Sequence, residues 1–271
     1  MIRDITIGQY YPADSLLHKL DPRVKLFATI IYIIALFSFK GLVGLALITA
    51  FLYYVIKISK VPFKFMTKGL KAIIVLVVIT SIFSLLGTPG DIVFWKWKSL
   101  QLTDAGIINA VLMTIRLVYL ILGTSLMTLT TTPNQLTNGL ETALAPLNKF
   151  HVPVHSIAMM MSIALRFIPI LIEETDKIMK AQMARGADFE NGNLIQKAKA
   201  MVPLLVPLFV SAFRRAEDLA MAMEARCYNG GEGRTKMKPL KYEQNDRVAY
   251  AIVIGFLMLV IIAANVIPFP Q

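Results

Sequence analysis

Hydrophobic residues come in long blocks separated by short polar breaks, so the pattern predicts helices. After a polar lead-in over residues 1–20, Leu20-Asp21-Pro22-Arg23 reads as a helix start, with Asp21 as cap and Pro22 at the first helical position. Apolar runs follow at 24–39 and 42–56, split by Lys40-Gly41. Each holds about 16 residues, a little short for a bilayer core of ~30 Å, but flanking Lys25 and Lys57 can snorkel. A basic connection with Lys57, Lys60, Lys64, Lys68 and Lys71, broken by Pro62, leads to a third run at 72–86. A turn at Gly87-Thr88-Pro89-Gly90-Asp91 precedes Trp95 and Trp97, residues suited to a membrane–water interface. The fourth and longest run is 105–129, and the fifth is 248–267.

Residues 133–247 differ, with charges interspersed at helical spacing. The pattern predicts a short helix over 136–147 and a long one over 155–185 with Pro169 inside. Another runs to Tyr228, with Pro203 and Pro207 expected to start or kink it. The expected organisation is a membrane domain at 1–132, a domain of long amphipathic helices at 133–247, and a closing membrane helix at 248–271. The fold class expected is an all-α, polytopic membrane protein with about five transmembrane helices.

Composition strengthens this reading. Of 271 residues, 56% are hydrophobic, above the apolar share of soluble domains. The net charge of +11 belongs to basic loops rather than to nucleic-acid binding. With the N-terminus inside, segments 1–25, 57–71 and 131–247 carry 4, 5 and 15 of the 28 Lys and Arg. That positive-inside bias puts the N-terminus and the 133–247 domain in the cytoplasm of a multi-pass protein of the cell membrane. The polar, mixed first twenty residues lack an apolar h-region, so no cleavable signal is expected among them.

Candidate chemistry is mostly of the excluding kind. No phosphate-cradling Gly-rich loop occurs, and one cysteine with three histidines offers no metal spacing or catalytic arrangement. The chain is therefore expected to be no enzyme, with no catalytic, cofactor or metal site. No Asp or Glu lies in the five apolar runs, which speaks against ion-coupled transport. Arg116 is the one charge inside a run; it either makes an interior polar contact or reaches a carbonyl or headgroup.

One repeat stands out. Ala184-Arg185-Gly186 and Ala225-Arg226-Cys227 each end a long helical pattern, about 41 residues apart. An Arg there is an ordinary cap for unpaired carbonyls. Two copies between small neighbours also suit a pair of slim tips that dock two similar soluble partners through guanidinium forks. The same helices are rich in Met, of which Met160, Met179 and Met221 are candidates for an adaptable contact surface. Acids at Glu173, Glu174 and Asp176 could face Arg214 and Arg215 if the helices cross.

Together with Pro133, Pro146-Leu147, Val152-Pro153, Arg166-Phe167-Ile168-Pro169 and Arg214-Arg215-Ala216-Glu217, these motifs resemble the transmembrane T component of energy-coupling factor (ECF) transporters. The resemblance covers nearly the whole chain, with Cys227 where that family's pattern has Gly. It implies a subunit that couples the ATP-driven motion of two ABC-type ATPase subunits to a separate membrane protein, the S component, which captures a vitamin or metal ion. The long helices would then be coupling helices, the Arg tips would dock the ATPases and the Met-rich face would hold the S component. ATP hydrolysis would belong to the partners. A self-contained secondary transporter or channel, or the permease of another ABC importer class, is the alternative.

Overall fold

The computed structural model describes residues 10–39, 41–89, 93–97, 100–189, 193–230, 237 and 239–266. Lys40 and the C-terminal end of the predicted 248–267 run lie outside them. Among the described residues the chain is all-α apart from one hairpin. In order, it forms α1 (Leu16–Lys19), α2 (Pro22–Ser38), α3 (Gly41–Ser59) and α4 (Phe63–Gly87). The strands β1 (Val93–Trp97) and β2 (Leu100–Thr103) follow. After them come α5 (Asp104–Thr130), α6 (Pro133–Leu144), a 3-10 turn (Ala145–Phe150), α7 (Val154–Ala184), α8 (Leu194–Glu224) and α9 (Gln244–Val266). Two compact units result. One lies within Leu140–Pro239; the other joins the described parts of Gly8–Gly139 and Leu240–Gln271.

In the second unit, α2 starts as its sequence dictates. The Asp21 carboxylate accepts the Arg23 amide at 2.9 Å and Pro22 fills the first turn. The core lies among α2, α3, α5 and α9, with Leu36, Phe39, Ile48 and Val260 fully buried. α5 packs closely on α2 at Gly123, where a Cβ would clash with the edge of the Tyr32 ring. The Tyr32 hydroxyl, held there, donates to the Tyr119 carbonyl at 2.9 Å. Burying that hydroxyl without a partner would cost ~1–3 kcal/mol.

Among the described residues three helices are long and apolar enough to cross a membrane: α5, α7 and α9. A fourth span results if α3 and the start of α4 count as one, bent by 119° around Lys60–Pro62. The sequence pattern had pointed to about five. The difference is one of length. α2 has 17 residues, roughly 26 Å at 1.5 Å per residue, short of a ~30 Å core. In α4 the basic first turns leave only Ile73–Gly87 as an apolar stretch. α7 was expected to be wholly cytoplasmic, yet it passes the same test. Its acids and lysines all follow Ile172, and Arg166 is the single Lys, Arg, Asp or Glu before them.

Two further differences concern local structure. The Val93-Phe94-Trp95-Lys96-Trp97 stretch, expected to be an interfacial segment after a turn, forms β1, antiparallel to β2. Pro203 and Pro207 neither start nor break α8, which begins at Leu194 and keeps both inside. Asn193 and Gln196 form a capping box at its start.

Candidate docking tips

The other unit is built on α7 and α8, each of 31 residues, or roughly 46 Å. They run antiparallel. Gln182 of α7 meets Pro203 of α8, Glu174 meets Arg215, and Ile163 and Phe167 share a cavity wall with Leu219 and Met223. Ala212, Ala216 and Ala220 line this seam, and their small side chains let α7 come close. The acid-to-base pairing suggested by the charge pattern is realised once. Arg215 donates to the Glu174 carboxylate at 3.2 Å, with side chains 39% and 26% exposed. A pair this wet contributes at most ~1 kcal/mol.

Pro207 has no amide proton, so the Pro203 carbonyl, its usual i−4 acceptor, is freed. The Gln182 side-chain amide takes that carbonyl at 3.4 Å. One end of α7 is thereby tied to the proline-bearing segment of α8.

The two helix ends share one geometry. After α7, Gly186 sits at φ +89°, its amide donating to Met183 O at 2.9 Å and the Ala187 amide to Gln182 O at 3.0 Å. After α8, Cys227 sits at φ +56°, its amide donating to Glu224 O at 2.8 Å and the Tyr228 amide to Met223 O at 3.0 Å. Both are Schellman turns, which close a helix through a left-handed residue. Glycine is the natural occupant at Gly186. At Cys227 a side chain bears the strain of that region, about 1–2 kcal/mol for an L-residue.

Arg185 and Arg226 immediately precede these left-handed residues, and both are exposed, as are Ala184, Gly186, Ala225 and Cys227. The turn amides take up the Gln182 and Met183 carbonyls after α7 and the Met223 and Glu224 carbonyls after α8. Because the helices are antiparallel, the two arginines lie at opposite ends of the pair, on the order of 40 Å apart along its length. The α8 tip stands beside a cavity of about 630 Å³ that Arg166, Phe167 and Met159 of α7 share with Arg226 and Tyr228.

Of the candidate contact methionines, Met160 and Met221 are exposed and Met179 is half-buried. A stronger apolar feature escaped the sequence reading: Val202, Val206, Phe209 and Phe213 of α8 are all 53–68% exposed. Their spacing of four, three and four residues places them on one stripe. That spacing is the signal for this stripe in the sequence. Arg116 resolves toward a carbonyl. Its guanidinium reaches Phe39 O at 3.4 Å and lies 4.9 Å over the Phe39 ring. Among the described residues no cluster of His, Cys, Asp or Glu is placed to hold a metal ion.

Fold and tips together define a helical membrane protein with a helical hairpin whose two ends each present an arginine. The family described as CbiQ, cobalt transport protein, matches residues 13–237. Among curated relatives, the energy-coupling factor transporter transmembrane protein EcfT of Clostridium kluyveri is 58% identical over 92% of this chain and 93% of its own length. The EcfT proteins of Ruminiclostridium cellulolyticum and Bacillus subtilis are 52% and 47% identical, over 97% and 96% of this chain and 98% and 97% of their own lengths. The chain belongs to this family, the transmembrane T components of ECF transporters.

Proposed function

We propose that this chain couples two ABC-type ATPase subunits to a substrate-capturing S component. The observation that carries the reading is the repeated tip: an exposed arginine held before a left-handed residue, once at each end of one rigid pair. Two sockets on two ATPases would take the two arginines. Closure of the ATPases then moves the ends of a stiff hairpin and changes how α7 and α8 cross. The exposed stripe Val202–Val206–Phe209–Phe213, with Met160 and Met221, is the apolar surface on which the S component rests; Met179 contributes from the half-buried margin. ATP is hydrolysed by the partners, and this chain holds neither nucleotide nor cofactor.

The positive-inside count supports a cytoplasmic N-terminus and cytoplasmic tips. The apolar first half of α7 would then lie in or against the bilayer, with its charged last turns carrying Arg185 out to the ATPase. The domain scheme that follows is a membrane unit at 1–132, a coupling unit at 133–247 and a closing helix at 248–271.

Co-purification of variant complexes, with uptake measured in the same cells, tests this. Truncating a buried interface cation costs roughly 2–5 kcal/mol, about 30- to several-thousand-fold in affinity. Arg185→Ala with Arg226→Ala is expected to shed both ATPases and abolish uptake while the S component stays. Phe209→Glu is expected to do the reverse. Normal assembly and uptake in the arginine double variant would reduce both residues to helix caps.

A further inference from the structure

A groove of about 330 Å³ opens among α2, α3, α5 and α9, outside the coupling hairpin. Its size falls at the low end of the ~300–1,000 Å³ typical of ligand pockets. The walls are almost wholly apolar, with Ala28, Phe51, Met127 and Ile252 among them. One end is formed by the start of α2, the end of α3, the end of α5 and the start of α9, so four helix ends meet there.

Lys25 lines that end with its side chain buried. Its ammonium donates to Thr130 O at 2.9 Å and His18 O at 3.2 Å. These are neutral acceptors, and an ammonium has three protons to give. No described carboxylate lies within ion-pair distance of it. The two nearest are committed elsewhere. Asp21 is held by Arg23 at 2.9 Å, and Asp246 accepts the Asp21 and Glu243 amides at 2.9 and 2.8 Å. Further cations stand at the same end. Lys57 precedes the groove residue Ile58, Lys60 follows two residues after it, and both are exposed. On the α1 side, where Leu16 and Leu17 line the groove, Lys19 is already paired with Asp14 at 3.0 Å, which leaves Lys57 and Lys60 as the exposed cations.

We propose that this groove is a binding site for one anionic phospholipid, an acyl chain lying along Ala28, Phe51 and Ile252 and the phosphate drawn to Lys25 and the lysines at the α3 end. The chemistry is that of a basic pocket between membrane helices, where apolar walls take the chain and fixed cations select the headgroup. A helix from a partner subunit would match the walls and gain nothing from the cations, so the charge favours the lipid.

Native mass spectrometry of the purified full chain, released from nanodiscs of phosphatidylcholine and phosphatidylglycerol in equal parts, tests this. Wild-type protein is expected to retain one phosphatidylglycerol, at least several-fold in preference to phosphatidylcholine. Ala28→Phe fills the groove and should remove the retained lipid. Lys57→Gln with Lys60→Gln should lower the headgroup preference while leaving the fold intact, and Lys25→Met should lower it further. Equal retention of the two lipids by wild-type protein overturns the proposal. So does retention unchanged by Ala28→Phe. Release of the lipid whenever the S component is added, with no headgroup preference beforehand, would make the groove a protein contact instead.

Discussion

At the α8 tip the decisive residue is Cys227, not for its thiol but for its φ of +56°. The equivalent position after α7 is Gly186, where a Cβ would meet nothing within 4 Å yet the backbone would still be strained. Cys227→Gly is therefore expected to stabilise the tip by about 1 kcal/mol, and Gly186→Ala to cost a similar amount. Thermal unfolding in detergent measures both. A fall in stability for Cys227→Gly would show that the thiol makes a contact worth more than the strain. The arginines themselves were legible in the sequence, because a repeat of Ala-Arg-small at two helix ends is a pattern of residue types. Their shared stereochemistry was not. A Schellman turn is a statement about φ and about which amide meets which carbonyl, and Cys is a poor signal for a left-handed position. Gly123 is a similar case, since nothing in the apolar run around it announces that a tyrosine ring from α2 will lie against it.

Between elements, the link from Gln182 to Pro203 joins the α7 tip to the stretch of α8 that the prolines have opened. Gln182→Met keeps the size and the backbone carbonyl but removes the donor, and is expected to cost about 0.5–1.5 kcal/mol. Pro207→Ala returns a helical partner to the Pro203 carbonyl. In that background Gln182→Met should cost far less, and a double-mutant cycle by thermal unfolding reads the coupling directly. Additive effects would mean that the 3.4 Å contact contributes nothing. Helix existence was legible almost throughout, and α5 and α9 follow their apolar runs closely. The prolines of α8 were over-weighted, because a local rule against interior Pro cannot see a side chain on another helix that takes up the freed carbonyl. The β1–β2 hairpin was missed since a five-residue run with two tryptophans reads equally as strand or as interfacial anchor until its partner is known. α2, with 17 residues, is shorter than a full span needs. In α7 the charges of the last turns mask an apolar first half that is long enough to enter a membrane.

For the whole molecule, orientation is the property on which the coupling role depends, and it can be read with a native probe. Cys227 is the one cysteine in the chain, is exposed and sits beside Arg226 at the α8 tip. If 24 of the 28 basic residues mark the cytoplasmic side, this thiol faces the cytoplasm. A membrane-impermeant maleimide should then leave the protein unlabelled in intact cells and label it in inside-out vesicles stripped of ATPase subunits. Restoring the ATPases should slow labelling, because a docked tip buries the residue next to its arginine. Arg226→Ala should remove that protection without changing the side from which the thiol is reached. The two arms separate two questions. Labelling from outside in intact cells would reverse the orientation and remove the tips from reach of any cytoplasmic ATPase. Labelling only from inside, unaffected by added ATPases, would keep the orientation and deny the docking. The lone thiol thus reports both on which side the α8 tip lies and on whether a partner covers it.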